Sequence, residues 1–122
     1  MKRFSFSYNE RLHSQADFNR VFKNGLKLEN KAVKVLAYKN NGARLRRLGL
    51  ITSRKVGIAV ARNRLKRRLR EIFRTNKHLL EPGLDIIFIS KPYGAALDYN
   101  SLKKSVLDLF KKADLYNEDK PQ

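Results

Sequence analysis

The most distinctive chemistry in this sequence lies in residues 62–74. The segment carries seven lysine or arginine side chains and one acid, Glu71. Four apolar residues interrupt the cations at helical spacing: Leu65, Leu69, Ile72 and Phe73. A helix with an apolar stripe and so many like charges repels itself unless a polyanion binds, and arginine forks suit phosphate oxygens. The segment therefore predicts a phosphate-binding surface.

A helix over about residues 59–77 would direct most of these cations away from the apolar stripe. The expected outward side chains are Lys66, Arg67, Arg70, Arg74 and Lys77. Arg62 and Arg64 lie near the helix start and can reach sideways. Asn63 either supports the local geometry or bonds to RNA through its amide. A merely solvated face is a poor explanation, because only Glu71 offers a partner at helical spacing, but charge alone does not separate RNA from DNA.

The charge is distributed unevenly over the 122 residues. Residues 1–80 hold 22 lysines and arginines against four acids, and residues 81–122 hold six against seven. This asymmetry predicts RNA, DNA or an anionic membrane as the partner of the first two thirds. The longest apolar run, 86–89, is too short to span a membrane, and we expect no signal peptide and no membrane partner. The absence of cysteine excludes a disulfide framework and fits a cytoplasmic protein.

The residues that a protein nuclease needs are not evident. His13 and His78 lie far apart without acidic neighbours, and the four acids of the first 80 residues form no paired motif. Acid–base or metal-assisted hydrolysis usually requires such clusters. We therefore expect no catalytic residue and no metal site in this chain.

The elements that would position these residues follow the order α-β-β-β-α-β-α. The predicted helices cover about residues 15–24, 59–77 and 99–116, and the predicted strands cover 26–28, 33–38, 48–53 and 84–90. Ser14 with Asp17, and Asp98, would cap two of the helices. The first dozen residues are expected to be extended, with turns at 40–42 and 91–94. The pattern predicts an α+β fold, a single-domain sandwich of one sheet with helices over residues 1–122 (ordered core about 11–116), including a β-α-β crossover.

Three segments in order resemble the bacterial ribonuclease P protein family. They are Arg62-Asn63-Arg64 followed by Lys66, Arg67 and Arg70; the Ser-Arg-Lys-Val-Gly loop at 53–57; and Asp-Phe-Asn-Arg-Val-Phe-Lys-Asn-Gly at 17–25. The resemblance spans about residues 11–116. It implies a left-handed crossover, whereas the general expectation is right-handed. It also implies that Arg54 and Lys55, otherwise read as loop cations in water, contact the RNA subunit or the substrate.

The resemblance changes the interpretation of two aromatic residues on the first predicted helix. Phe18 and Phe22 are four residues apart and share a face, and from burial statistics alone both would be core. In the family, the matching aromatics line a cleft that binds the single-stranded 5′ leader of precursor tRNA. Leu36 stands where the family commonly has an aromatic residue, so we expect Tyr38 to extend the leader-binding surface in its place. Alternation alone does not decide which side of the strand, that of Lys34 and Tyr38 or the other, faces the cleft.

The resemblance also implies a function without protein-based catalysis. The partners would be ribonuclease P RNA and precursor tRNA, without an obligatory protein partner. The RNA subunit would hold the active site and its magnesium, and the chain would reduce phosphate repulsion and bind the leader. A structural or ribosomal RNA-binding protein and a DNA-binding regulator remain alternatives, although no helix–turn unit precedes helix 59–77. Ile58 departs from the polar residue that the family often has after the loop glycine, so its side chain supplies no cap for helix 59–77.

Overall fold

The computed structural model describes residues 8–40 and 45–116, which form one four-stranded sheet with helices on both faces. The helices are α1 (Gln15–Asn24), α2 (Ala59–Asn76), α3 (Pro92–Ala95) and α4 (Tyr99–Lys112), and the strands are β1 (Leu26–Glu29), β2 (Val33–Lys39), β3 (Arg47–Ile51) and β4 (Leu84–Ser90). The predicted α+β order is confirmed, with α3 as an addition. Two predicted caps are present: Ser14 Oγ accepts from the Asp17 amide at 3.1 Å, and the Asp98 carboxylate accepts from the Ser101 amide at 2.8 Å.

The strands are arranged in the order β1-β2-β4-β3. β2 is antiparallel to both β1 and β4, whereas β3 and β4 are parallel. The parallel pair is joined through α2, which confirms the β-α-β unit expected from the sequence. The left-handed path of that connection stays a prediction.

The two faces of the sheet pack against different helices. On one face, α2 and α4 bury a continuous apolar core that includes Leu69, Phe73, Phe88 and Phe110. On the other face, α1 packs through Val21 against Leu36 and Ile87, together with Leu12 from the preceding segment. Strand side chains alternate between these faces, so the register decides which residues lie beneath α1.

Two predicted element types and several predicted boundaries are wrong. Residues 8–10 form a short 3-10 turn where we expected an extended chain, and residues 1–7 and 41–44 lie outside the described residues. The sequence predicts a plain turn over 91–94, but Pro92 occupies the first helical position and starts α3. α4 ends at Lys112, four residues early, and Asp114 follows with a left-handed φ of 57° that a helix cannot accommodate.

Candidate nucleic-acid interface

The helix α2 is amphipathic as its sequence predicts. Leu65, Leu69, Ile72 and Phe73 are all buried against the sheet. The predicted phosphate-binding residues lie on the remaining surface of the helix and in the turn before it. Arg54, Lys55, Asn63, Arg64, Arg67 and Arg70 are exposed, and Arg62, Lys66 and Arg74 are partly exposed. The tertiary structure therefore presents every predicted cation of this set to solvent at least in part.

The start of α2 has no side-chain cap. Ile58 occupies the N-cap position without a capping hydrogen bond, as predicted, because its apolar side chain has no acceptor. Gly57 precedes it with a φ of 151°, a conformation that L-residues rarely adopt. Arg62 Nη1 lies 3.5 Å from the Gly57 carbonyl oxygen, which it approaches as a donor. This contact directs one arginine back toward the turn that holds Arg54 and Lys55.

The basic residues of α2 and of the turn before it fall into two groups according to their partners. Of the described acids, none lies within 4 Å of Arg54, Lys55, Arg64, Lys66, Arg67 or Arg70. In contrast, Arg74 Nε donates to Glu71 at 3.0 Å, and this hydrogen bond raises the pKa of Arg74 and lowers that of Glu71. Arg68 Nη1 donates to the Leu97 carbonyl at 2.9 Å. The cations without acidic partners are concentrated in the turn and in the first two thirds of the helix.

The prediction that Lys77 faces outward with the other cations of the helix is wrong. Its side chain is only 9% exposed and forms an ion pair with Glu10, a residue 67 positions earlier in the chain. Arg46 adds a second link nearby, since its Nε donates to the Leu80 carbonyl at 2.8 Å. Lys77 therefore ties the segment before α1 to the end of α2 and does not belong to the exposed basic surface.

Phe18 and Phe22 are partly buried, so neither a pure core interpretation nor a pure surface interpretation describes them. Both rings pack around the cluster of Val21, Leu36 and Ile87. Each nevertheless keeps part of its surface accessible. The two aromatics that the resemblance assigns to substrate binding can thus support α1 and still expose ring surface.

A chain of charged groups anchors the first turn of α1 to the sheet. Arg47 of β3 donates two hydrogen bonds of 2.8 Å to Asp85, which is fully buried, and lies 3.7 Å from Asp17. Burial would raise the pKa of Asp17, but hydrogen bonds from Arg20 and Ser14 and the charge of Arg47 together lower it. The same hydrogen bond to Asp85 raises the pKa of Arg47. These contacts hold α1 over one end of its sheet face.

The register settles the strand positions that the sequence left open. Leu36 faces α1 but is only 1% exposed, so it offers no surface for stacking. Tyr38 shares that face and remains partly exposed. Lys34 lies on the same face and pairs in register with Ile89, which in turn pairs with Ile51. Lys34, Ile89 and Ile51 are all partly exposed, and we call these three side chains the open floor. The sequence could not assign them to this face, because it left the cleft-facing side of the strand undetermined.

A cavity of about 260 Å³ lies beside β3, the outer strand of the sheet, and residues of both predicted sites line it. Phe18 of α1, Gly49 of β3 and Arg70 of α2 all line it. The other lining residues are Arg11, Leu12, His13, Leu48 and Leu50. The Leu12 amide donates to the Leu48 carbonyl at 2.9 Å and closes part of the strand edge. The aromatic and basic surfaces therefore meet in one opening.

The described residues show no cluster of three or more histidine, cysteine or acidic side chains that could bind a metal ion. The donor set around the cavity is basic and apolar, which does not suit a divalent cation. Over the same part of the chain, no helix has the length and apolar character needed to cross a membrane.

Comparisons with known proteins agree with this geometry. A family model described as Ribonuclease P matches residues 6–114. The ribonuclease P protein component of Caldanaerobacter subterraneus is 38% identical over 108 residues, covering 88% of this chain and 92% of that protein. The Thermotoga maritima component is 38% identical over 114 residues, covering 90% and 97%. The solved Staphylococcus aureus RNase P protein superposes with a TM-score of 0.81 at 31% identity, covering 88% and 98% of the two chains.

Proposed function

The chain belongs to the ribonuclease P protein family, and we propose that it binds the RNA subunit of that ribonucleoprotein and the 5′ leader of precursor tRNA in the cytoplasm. The observation that carries this proposal is the β3-edge cavity, where Phe18 and Arg70 meet. Single-stranded nucleic acid binds where a basic groove follows the backbone and aromatic rings stack on bases. In this cavity Phe18 supplies an aromatic ring and Arg70 supplies a cation.

The basic surface would bind phosphates of the RNA subunit. It consists of Arg54, Lys55, Arg62, Asn63, Arg64, Lys66, Arg67, Arg70 and Arg74. Neutralising phosphates releases condensed counterions, which supplies affinity without sequence specificity. Arg70 lies at the border of the cavity, so the same helix flank can also bring substrate phosphate toward the α1 side.

The aromatic surface would bind the leader. Phe18, Phe22 and Tyr38 are partly exposed on the sheet face that α1 only partly covers. Stacking tolerates any base, because every base has a π-face. A protein that acts on many tRNA precursors needs that tolerance, whereas a set of base-edge contacts would restrict it.

Hydrolysis would take place on the RNA subunit, which would also hold the magnesium ions. The donor groups around the cavity do not fit a magnesium ion, and we derive no step through one on this chain. The contribution of the chain would be to orient the leader and to lower the repulsion between two polyanions. An endonuclease subunit of this kind needs no catalytic side chain.

The test is cleavage of a precursor tRNA by a bacterial ribonuclease P RNA at low magnesium, with and without this chain. We expect leader release to depend on the chain and Phe18→Ala to weaken binding of precursor tRNA but not of leaderless tRNA. Lys104→Ala, on the exposed surface of α4, is the control and should change neither the leader release nor the binding of precursor tRNA. Binding of the RNA without any effect on cleavage would instead indicate a structural RNA-binding protein.

A further inference from the structure

Gly49 lies in the middle of β3, and the ring of Phe18 occupies the space beside it. A Cβ atom placed on Gly49 would lie 2.6 Å from Cζ and 2.7 Å from Cε1 of Phe18. Optimal carbon–carbon contact is about 3.5–4.0 Å. Gly49 also lies between Arg47 and Ile51 on the strand, so its missing side chain would point to the face that α1 covers. The ring therefore fills the volume that any other residue would need.

We propose that Gly49 is a positioning residue, which holds the Phe18 ring in the orientation that stacks on a leader base. The inference rests on the leader contact of Phe18 described above. Gly49 itself would touch no nucleotide through a side chain, because it has none. Its role would be to let the far edge of the ring sink against β3 while the remaining ring surface stays open to the cavity.

Three sets of contacts hold the backbone of β3 and α1 in place around Gly49. Arg47, two residues before Gly49, bonds to buried Asp85 and lies near Asp17 of α1, so helix and strand are linked beside the contact. β3 pairs with β4 on one side, and on the other its Leu48 carbonyl accepts from the Leu12 amide. Rotation of the ring is therefore the change that needs the least rearrangement when a methyl group is added at Gly49.

The opposing explanation is that Gly49 serves only packing. In that case, Gly49→Ala would lower the stability of the protein and weaken the binding of precursor and leaderless tRNA equally. A Cβ at Gly49 would also lie 3.2 Å from Leu12 Cδ1, a contact that a shift of a few tenths of an ångström relieves. Both explanations include the clash with the Phe18 ring, so they differ in leader selectivity: only the positioning role confines the effect of Gly49→Ala to precursor tRNA.

The experiment is a double-mutant cycle in the holoenzyme reconstituted with ribonuclease P RNA. Dissociation constants for precursor and leaderless tRNA are measured for wild type and Gly49→Ala, and then with Gly49→Ala added to Phe18→Ala and to Phe22→Ala. We expect Gly49→Ala to reduce the preference for precursor tRNA by about fivefold or more, as partial loss of one base stack would. It should have no further effect after Phe18→Ala, but should keep its effect after Phe22→Ala.

Each result decides between the explanations. If Phe18→Ala leaves the precursor preference intact, the leader contact of Phe18 itself is wrong. If Phe18→Ala lowers the preference and Gly49→Ala does not, or if Gly49→Ala weakens both substrates alike, the positioning role is overturned. Should Gly49→Ala alone fail to fold, Gly49→Ala with Phe18→Leu provides the space again. That double variant must match Phe18→Leu within about twofold, and a larger difference would contradict the inference.

Discussion

The two faces of the sheet are completed in different ways. The face under α2 and α4 is closed, with Phe73, Phe88 and Phe110 fully buried in one cluster. The face under α1 buries only a small cluster around Val21 and leaves aromatic and aliphatic side chains partly exposed around it. The closed face supplies most of the apolar burial that stabilises the fold, and the half-covered face retains accessible apolar surface.

The difference explains how one small chain can serve stability and binding together. Burial of apolar side chains stabilises the fold in proportion to the area removed from water. A ring that is fully buried offers nothing to a ligand, and a fully exposed ring contributes nothing to the core. Phe18 and Phe22 lie between these limits, so we expect substitutions on the two faces to separate stability from leader binding.

The largest expected effect is a loss of stability on the closed face. Phe88→Ala should lower the free energy of unfolding by about 3–5 kcal/mol, because the ring is fully buried and leaves a cavity. Phe22→Ala, on the half-covered face, should cost about 1 kcal/mol of stability but about 1–3 kcal/mol of precursor-tRNA binding. Chemical denaturation and tRNA binding measure the two quantities. Equal stability losses at both positions would contradict the comparison.

A second prediction compares two neighbouring arginines of α2. Arg67 is exposed without an acidic partner, whereas Arg68 donates to the Leu97 carbonyl. Arg67→Gln should lower the salt dependence of RNA-subunit binding by about one counterion, because one phosphate contact is lost. Arg68→Gln should change that slope less and cost about 1 kcal/mol of stability through the lost hydrogen bond. Titrations at several salt concentrations measure the slopes. Identical slopes for both variants would mean that Arg67 and Arg68 do not differ in phosphate binding.

A third prediction concerns two lysines of β2 on opposite faces of the sheet. Lys34 lies on the open floor beside Ile89, while Lys39 is exposed on the other face and pairs with Glu81 at 3.3 Å. Lys34→Gln should reduce the salt slope for precursor tRNA by about one and leave leaderless tRNA unaffected. Lys39→Gln serves as the matched control, with little change expected for either RNA. An equal response to both substitutions would mean that the floor does not contact the leader.

The smallest expected effect is the pH dependence of α1 docking. The folded-state pKa of Asp17 lies below 3.8 because the favourable contacts of Arg20, Ser14 and Arg47 outweigh burial. Its stabilising contribution is therefore present above pH 3.8 and is lost as the pH falls through the folded-state pKa. Asp17→Asn should be less stable than wild type near neutral pH, and the gap should close below about pH 4. Unfolding curves across this range measure the gap, and a constant gap would rule out Asp17 as its source.

Short-range chemistry explains what could be predicted before the structure. Ser14 and Asp98 cap their helices because capping involves residues three positions apart, and Leu65 and Leu69 share a face because four residues nearly complete a turn. The prediction that Lys77 faces outward is wrong, because a partner 67 residues away buries it. Helical periodicity contains no information about such a distant partner.

The sequence by itself determined the basic character of α2, its apolar stripe, the caps and the order of the elements, since these follow from local spacing and charge. Only the tertiary structure decided that Phe18 and Arg70 share a cavity, that Lys34 faces the open floor and that the Phe18 ring needs a glycine opposite. These facts depend on strand register and on the docking of α1 across the sheet. A shift of one residue in register would turn every strand side chain to the other face.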